Sequence, residues 1–194
     1  MKPIDAILQD METYIKRHKN PVVACSFGKD SVVALHLARQ VKRDIAVAFN
    51  NTLVENPDTL IFKRRLTAEW DLKVIEMKPL DGWTFWKVVN RYGFPLGQRR
   101  GSMATGKCCY YLKKAPMHRT LKEHGWDLVI DGMTIYESRQ RYLNLKEPYR
   151  YNQGWRCYKY SPIWDWTPGD VWDYIEKYNL PYNSYYDKTL EHPG

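Results

Sequence analysis

Six residues near the start of the chain have the types and spacing to hold a polyphosphate: Ser26, Phe27, Gly28, Lys29, Asp30 and Ser31. Gly28 permits a tight turn and a close backbone approach to an oxyanion. The hydroxyls of Ser26 and Ser31 can donate to phosphate oxygens, and Lys29 adds a mobile positive charge. Asp30 can hold the loop or help to bind a magnesium ion. Lys29 and Asp30 are therefore the candidate catalytic pair, with the whole hexapeptide as nucleotide-binding loop. The G-x-x-x-x-G-K spacing of a Walker A loop is absent.

Cysteine is the other residue type with chemistry to offer. Four occur: Cys25, Cys108, Cys109 and Cys157. Cys25 ends an apolar run and reads as a small core residue. The adjacent Cys108 and Cys109 are candidate metal ligands, or else packed or redox-active thiols. Nothing at Met1-Lys2-Pro3-Ile4-Asp5 resembles a secretory signal, so a disulfide framework is not expected and the expected location is the cytoplasm.

These groups need elements to position them. Ile4, Ile7, Leu8, Met11 and Ile15 repeat at three- and four-residue steps and predict a helix over 4–18. Val22–Cys25 is a short continuous apolar run, the pattern of a strand covered on both faces. A helix is expected from Ser31 to Val41, so the hexapeptide lies where an anion meets helix N-terminal amides. Further strands are expected at 45–49, 72–77 and 127–131, and helices at 57–70, 83–91 and 110–124. Residues 93–107 read as a loop, and Pro116 is expected to kink the last of these helices or delay its start. Residues 133–161 are polar, basic and aromatic without a clear period. Thr167-Pro168-Gly169-Asp170 opens a final helix with a capping pair. Strands alternating with helices predict an α/β class, a Rossmann-like, mainly parallel sheet flanked by helices, in one domain over 1–194. Ligands of such sheets bind beyond the carboxyl ends of the strands.

Composition agrees with a folded protein that meets anions. The 194 residues are 44% hydrophobic and 27% charged, and 30 Lys and Arg against 22 Asp and Glu leave a net charge of +8. No apolar run approaches the ~20 residues of a membrane span. The charge favours polyanionic partners: nucleotides, nucleic acid (tRNA or DNA), or phosphorylated and sulfated small molecules. Eight Trp and fifteen Tyr either pack the core or form a stacking surface for bases. Arg139, Arg141, Lys146 and Arg150, interleaved with Tyr142, Tyr149 and Tyr151, suit single-stranded nucleic acid, a substrate lid or plain surface. Arg99 and Arg100 beside Gly101 suit either a phosphate or tRNA clamp or a solvated loop.

The hexapeptide followed by Val32-Val33-Ala34-Leu35-His36-Leu37-Ala38 resembles the PP-loop of the adenine nucleotide α-hydrolase superfamily. The resemblance implies a HUP-type Rossmann-like sheet and chemistry at the α-phosphate. Three further segments resemble the branch that contains phosphoadenosine phosphosulfate (PAPS) reductases. Phe49-Asn50-Asn51-Thr52 with Glu55, Pro57 and Thr59 resembles F-x-D-T-G-x-E-x-P-E-T, with Asn51 in place of the acid. Lys107-Cys108-Cys109 with Lys113, Lys114 and Pro116 resembles C-C-x-x-x-K-x-x-P. Gly132 followed by Glu137, Ser138 and Arg141 resembles G-x-R-x-x-E-S-x-x-R, with Thr134 in place of the first arginine. An anion contact made by that arginine is expected from elsewhere, with Arg139 the candidate.

By this resemblance Phe49, Asn50, Asn51, Gly132, Glu137, Ser138 and Arg141 join the loop as nucleotide-binding residues. The nucleotide is ATP with magnesium, or PAPS. Lys29-Asp30 has the form seen in members that cleave ATP between its α- and β-phosphates, which favours an ATP-activating enzyme in sulfur metabolism or nucleic-acid sulfur modification. The alternatives are a PAPS or adenylyl-sulfate reductase and a non-catalytic binding subunit, with or without a partner subunit or a homo-oligomer. Iron–sulfur members pair Cys-Cys with a later C-x-x-C to bind a [4Fe-4S] cluster. Downstream only Cys157, and remotely His192, could add ligands here, so Cys108 and Cys109 give an incomplete set.

Overall fold

The computed structural model describes residues 2–95 and 103–188. Arg99, Arg100, Gly101 and His192 lie outside them.

Three short apolar runs form the centre of a six-stranded sheet of order β3-β2-β1-β4-β6-β5. These are β1 (Pro21–Ala24), β2 (Ala46–Asn50) and β4 (Leu128–Asp131); β3 (Val74–Met77) flanks β2. All pairings from β3 to β6 (Cys157–Tyr160) are parallel, and only β5 (Tyr149–Asn152) is antiparallel. Continuous Val, Ile and Leu runs suit strands covered on both faces. Two packed clusters provide that cover. Ile7, Val23, Val33, Leu37, Val47, Ile130 and Trp166 belong to one, and Val22, Ala48, Met117, Trp126, Val129 and Cys157 to the other. The expected fold class is thus observed.

Chain order places the site. From β1 the chain crosses by helix α2 (Lys29–Val41) to β2 on one side, yet β4 pairs with β1 on its other side. The strand order therefore reverses at β1, and a crevice opens there beyond the strand ends.

Three features depart from the sequence reading. First, α2 begins at Lys29 rather than Ser31, with Gly28 as its N-cap, so half of the phosphate loop is the first helical turn. Second, helix begins at Met103 inside the expected loop: α5 (Met103–Cys109) runs through a π-turn (Tyr110–Lys114) into α6 (Ala115–His124). Pro116 has no N–H to give, and the widened turn, in which the Ala115 N–H reaches the Tyr110 carbonyl, absorbs the break. Third, residues read as aperiodic contain the short helix α7 (Arg139–Asn144) and the β5–β6 hairpin. The hairpin escapes notice because Tyr, Arg and Lys at the sheet edge replace the apolar runs of the central strands.

Helix α8 (Pro168–Lys177), preceded in chain order by α1 (Ile4–Arg17), α3 (Pro57–Glu69) and α4 (Phe85–Tyr92), starts as expected. The Thr167 hydroxyl accepts the Asp170 N–H and Asp170 Oδ2 accepts the Thr167 N–H at 2.8 Å. Thr167→Ala removes one half of that box and should lower stability by about 1 kcal/mol in urea denaturation. Among the described residues no helix is long and apolar enough to cross a membrane.

Candidate active site

A cavity of about 570 Å³ occupies the crevice at β1. Ser26, Gly28, Asp30 and Ser31 line its middle, and Phe49, Asn50, Glu55 and Met77 the β2–β3 end. Asp131, Gly132, Met133, Glu137, Arg141, Trp155 and Lys159 form the β4–β6 end. Cys109, Lys113, Lys114 and Met117 close it from the π-turn and α6.

The loop is braced from within. The Ser31 hydroxyl donates to the Gly28 carbonyl at 2.8 Å, and the Ser26 and Ser31 hydroxyls lie 3.3 Å apart. Phe27 adopts φ 61°, a left-handed conformation uncommon outside glycine, and its buried ring meets Phe49 edge-on. Burial of that ring fixes the turn. Gly28 has φ −83°, so its use is space rather than handedness: a Cβ there would lie 3.0 Å from the Tyr186 hydroxyl. That hydroxyl accepts the Lys29 N–H at 3.2 Å. The first-turn amides of α2 otherwise face outward from the helix end, as an anion site requires.

Lys29 is placed differently from the reading of a mobile charge. Its side chain is buried, with Nζ 3.0 and 3.2 Å from the two Asp30 oxygens, and Asp30 rather than Lys29 lines the cavity. Cys25 is buried as expected but also forms part of the cavity floor. Burial pushes its thiol up to about 11, against weaker opposing hydrogen bonds shared with Ser31 and Phe27.

The remaining residues divide. Phe49, Asn50, Gly132, Glu137 and Arg141 reach the cavity, and the buried Asn50 amide oxygen has no hydrogen-bond partner among the described residues. Asn51 faces away, donating to Glu76 and accepting the Leu53 N–H. Ser138 caps α7 by accepting the Arg141 N–H. Thr134 is buried in a capping box with Glu137. Arg139, suggested as the substitute for the missing arginine, does not line the cavity; Arg141, ion-paired with Glu137, does. Position in the first turn of α7 turns the two arginines to different sides.

Cys108 and Cys109 lie on the last turn of α5, and Cys109 reaches the cavity. Burial raises the Cys108 thiol, its neighbour Cys109 adds to this, and Lys113 opposes both. Among the described residues no group of three His, Cys, Asp or Glu is disposed to hold a metal. Cys108 and Cys109 alone supply only two of the four thiolate ligands that an iron–sulfur cluster takes.

An ionic cluster that sequence reasoning missed stands at the β4–β6 end. Asp131 is 7% exposed; its Oδ2 accepts from Lys159 Nζ at 2.7 Å and its Oδ1 from the Ser161 hydroxyl at 2.6 Å. Arg150 donates to the same hydroxyl at 3.2 Å. Burial alone would raise the Asp131 carboxyl, but the Lys159 charge and the two hydrogen bonds outweigh it and hold the group below its usual range. An acid closing an otherwise apolar strand just before Gly132 was a legible signal. Lys159 was not, because its strand went unread.

The hexapeptide thus lies between a strand and a helix at the strand-order reversal of a parallel sheet, the place where such sheets bind ligands. The phosphoadenosine phosphosulfate reductase domain model matches residues 20–192, and the chain belongs to that family. It is 31% identical to an adenosine 5'-phosphosulfate reductase of Bacillus cytotoxicus over 91% of this chain and 72% of that one. It is 32% identical to a protein of Methanocaldococcus jannaschii, MJ0973, over 92% of its own length but only 41% of that relative's. The chain thus spans less than half of that archaeal relative. The fold is similar to a PAPS reductase of Candida auris, with TM-score 0.73, 21% identity and coverage of 95% and 90% of the two chains.

Proposed function

We propose that the protein binds an adenine nucleotide across the crevice and acts at its α-phosphate, with ATP as the nucleotide and an adenylated acceptor and pyrophosphate as products. The observation that carries the reading is the intact loop at the N-terminus of α2, with Ser26, Asp30 and Ser31 on the cavity wall and Lys29 bound to Asp30. The helix-end amides and serine hydroxyls would hold the phosphates. Lys29, released from Asp30 as the anion arrives, would offset charge on the departing pyrophosphate. A magnesium ion takes one or two carboxylates together with the substrate's own phosphates, and Asp30 fits that role. The acceptor belongs to sulfur metabolism or to nucleic-acid sulfur modification.

A second reading is reduction of a sulfonucleotide to sulfite. It is favoured by the name of the Bacillus relative and by Cys109 on the cavity wall. Incubation with ATP, and separately with adenylyl sulfate, PAPS and a dithiol reductant, distinguishes the two. Pyrophosphate from ATP in the presence of acceptor supports the first; sulfite with no pyrophosphate supports the second. Lys29→Ala should weaken ATP binding about 10-fold by loss of one charge-assisted contact, measured by calorimetry. Unchanged ATP affinity in that variant would sink the role given to the loop.

A further inference from the structure

Lys159 stands in the cavity wall with its side chain only 11% exposed. An ammonium group has three N–H donors. Asp131 Oδ2 takes one at 2.7 Å, and among the described residues the ammonium's other hydrogen bond goes to the Met133 thioether at 3.6 Å, a weak acceptor. The Trp155 ring lies 5.3 Å from the ammonium and also lines the cavity. Asp131, in contrast, has both oxygens engaged, Oδ2 by Lys159 and Oδ1 by Ser161 and the Met133 N–H. The pair is therefore asymmetric: an acid with both oxygens bonded holds a base with donor capacity to spare.

A buried ion pair is poor value as a stabilising device, since apolar side chains of like volume do as well or better. Its place in the wall gives it another use. Gly132 joins Asp131 to the first turn of α2 so closely that a Cβ on it would lie 2.4 Å from the Asp30 carbonyl oxygen. Lys159 is thus fixed beside the phosphate loop but on a different strand, and Arg141 shares its end of the cavity. We propose that Lys159, oriented by Asp131, forms a second anion subsite that binds a phosphate or sulfate group other than the nucleotide's α-phosphate. Lys159 would contact that oxyanion directly, with Asp131 as the positioning residue. The inference rests on the nucleotide reading above.

Calorimetric titrations test it with AMP, ATP with magnesium, adenylyl sulfate, PAPS, and inorganic sulfate added to AMP-saturated protein. Wild type is compared with Lys159→Met and with the double variant Asp131→Asn/Lys159→Met, in which no buried charge is left unpaired. In both variants AMP affinity should stay within about two-fold, while at least one of the other ligands loses about 10-fold or more. A loss confined to PAPS assigns the oxyanion to the ribose phosphate. A loss shared by ATP or adenylyl sulfate assigns it to the group beyond the α-phosphate, and a loss only of sulfate binding assigns it to a separate second substrate. Each supports the subsite. Equal losses for AMP and the rest, or no selective loss in the double variant, would overturn it. Failure of wild type to bind AMP or ATP would instead remove the nucleotide reading, and the subsite with it.

Discussion

Gly132→Ala should abolish nucleotide binding and destabilise the fold. A Cβ at this position would lie 2.4 Å from the Asp30 carbonyl oxygen, 2.6 Å from its carbon and 2.7 Å from the Ser31 nitrogen. All three are backbone atoms of the first turn of α2, so no side chain can swing aside. Relief requires β4 and α2 to part, and the serines and amides of the loop move with α2. Overpacking of this sort costs about 1–3 kcal/mol. Urea denaturation and ATP titration would measure the two effects. Gly28→Ala is the informative contrast: its Cβ would meet the Tyr186 hydroxyl at 3.0 Å and the Ser26 hydroxyl at 3.6 Å, both side-chain atoms. It should leave stability nearly intact. Equal destabilisation by the two variants would show that backbone proximity at Gly132 does not govern the site.

Asp131→Asn should be the most destabilising single change at the β4–β6 end. It keeps the shape of the side chain but leaves the Lys159 ammonium buried beside a neutral amide. Loss of one partner of a buried pair costs about 3–5 kcal/mol, unless the survivor gives up its charge. Addition of Lys159→Met removes the stranded charge and should recover most of that loss, a coupling visible in a double-mutant cycle. A pH series gives an independent check. The folded-state pKa of Asp131 is depressed below the unfolded value of about 3.9, so the unfolded chain binds more protons there. The stabilisation is therefore fully present above about pH 3.9 and is lost as pH falls through the depressed folded value. Wild type should show this acid limb and Asp131→Asn should lack it. Parallel acid limbs in the two would mean that the carboxylate contributes nothing to stability.

What could be read from the chain alone was whatever neighbouring residues dictate. Apolar runs at 22–25, 45–49 and 127–131 cannot be exposed, so they became the central parallel strands, and the glycine, serines and charges following the first of them had to lie at a helix N-terminus. The cap at Thr167 and Asp170 is equally local and formed as written. Long-range packing decided the rest. Tyr186, 157 residues from Lys29 in sequence, closes the space beside Gly28 and accepts the Lys29 N–H. The direction in which Asn51 and Arg139 point depends on strand and helix phase, which residue identity does not encode. The edge hairpin is stabilised by pairing with β4 rather than by its own composition, so Lys159 could not be placed beside Asp131 until the strand order was known. Local sequence determined that Ser26–Ser31 would lie at a helix N-terminus; only the tertiary structure decided which charges from distant strands would face it.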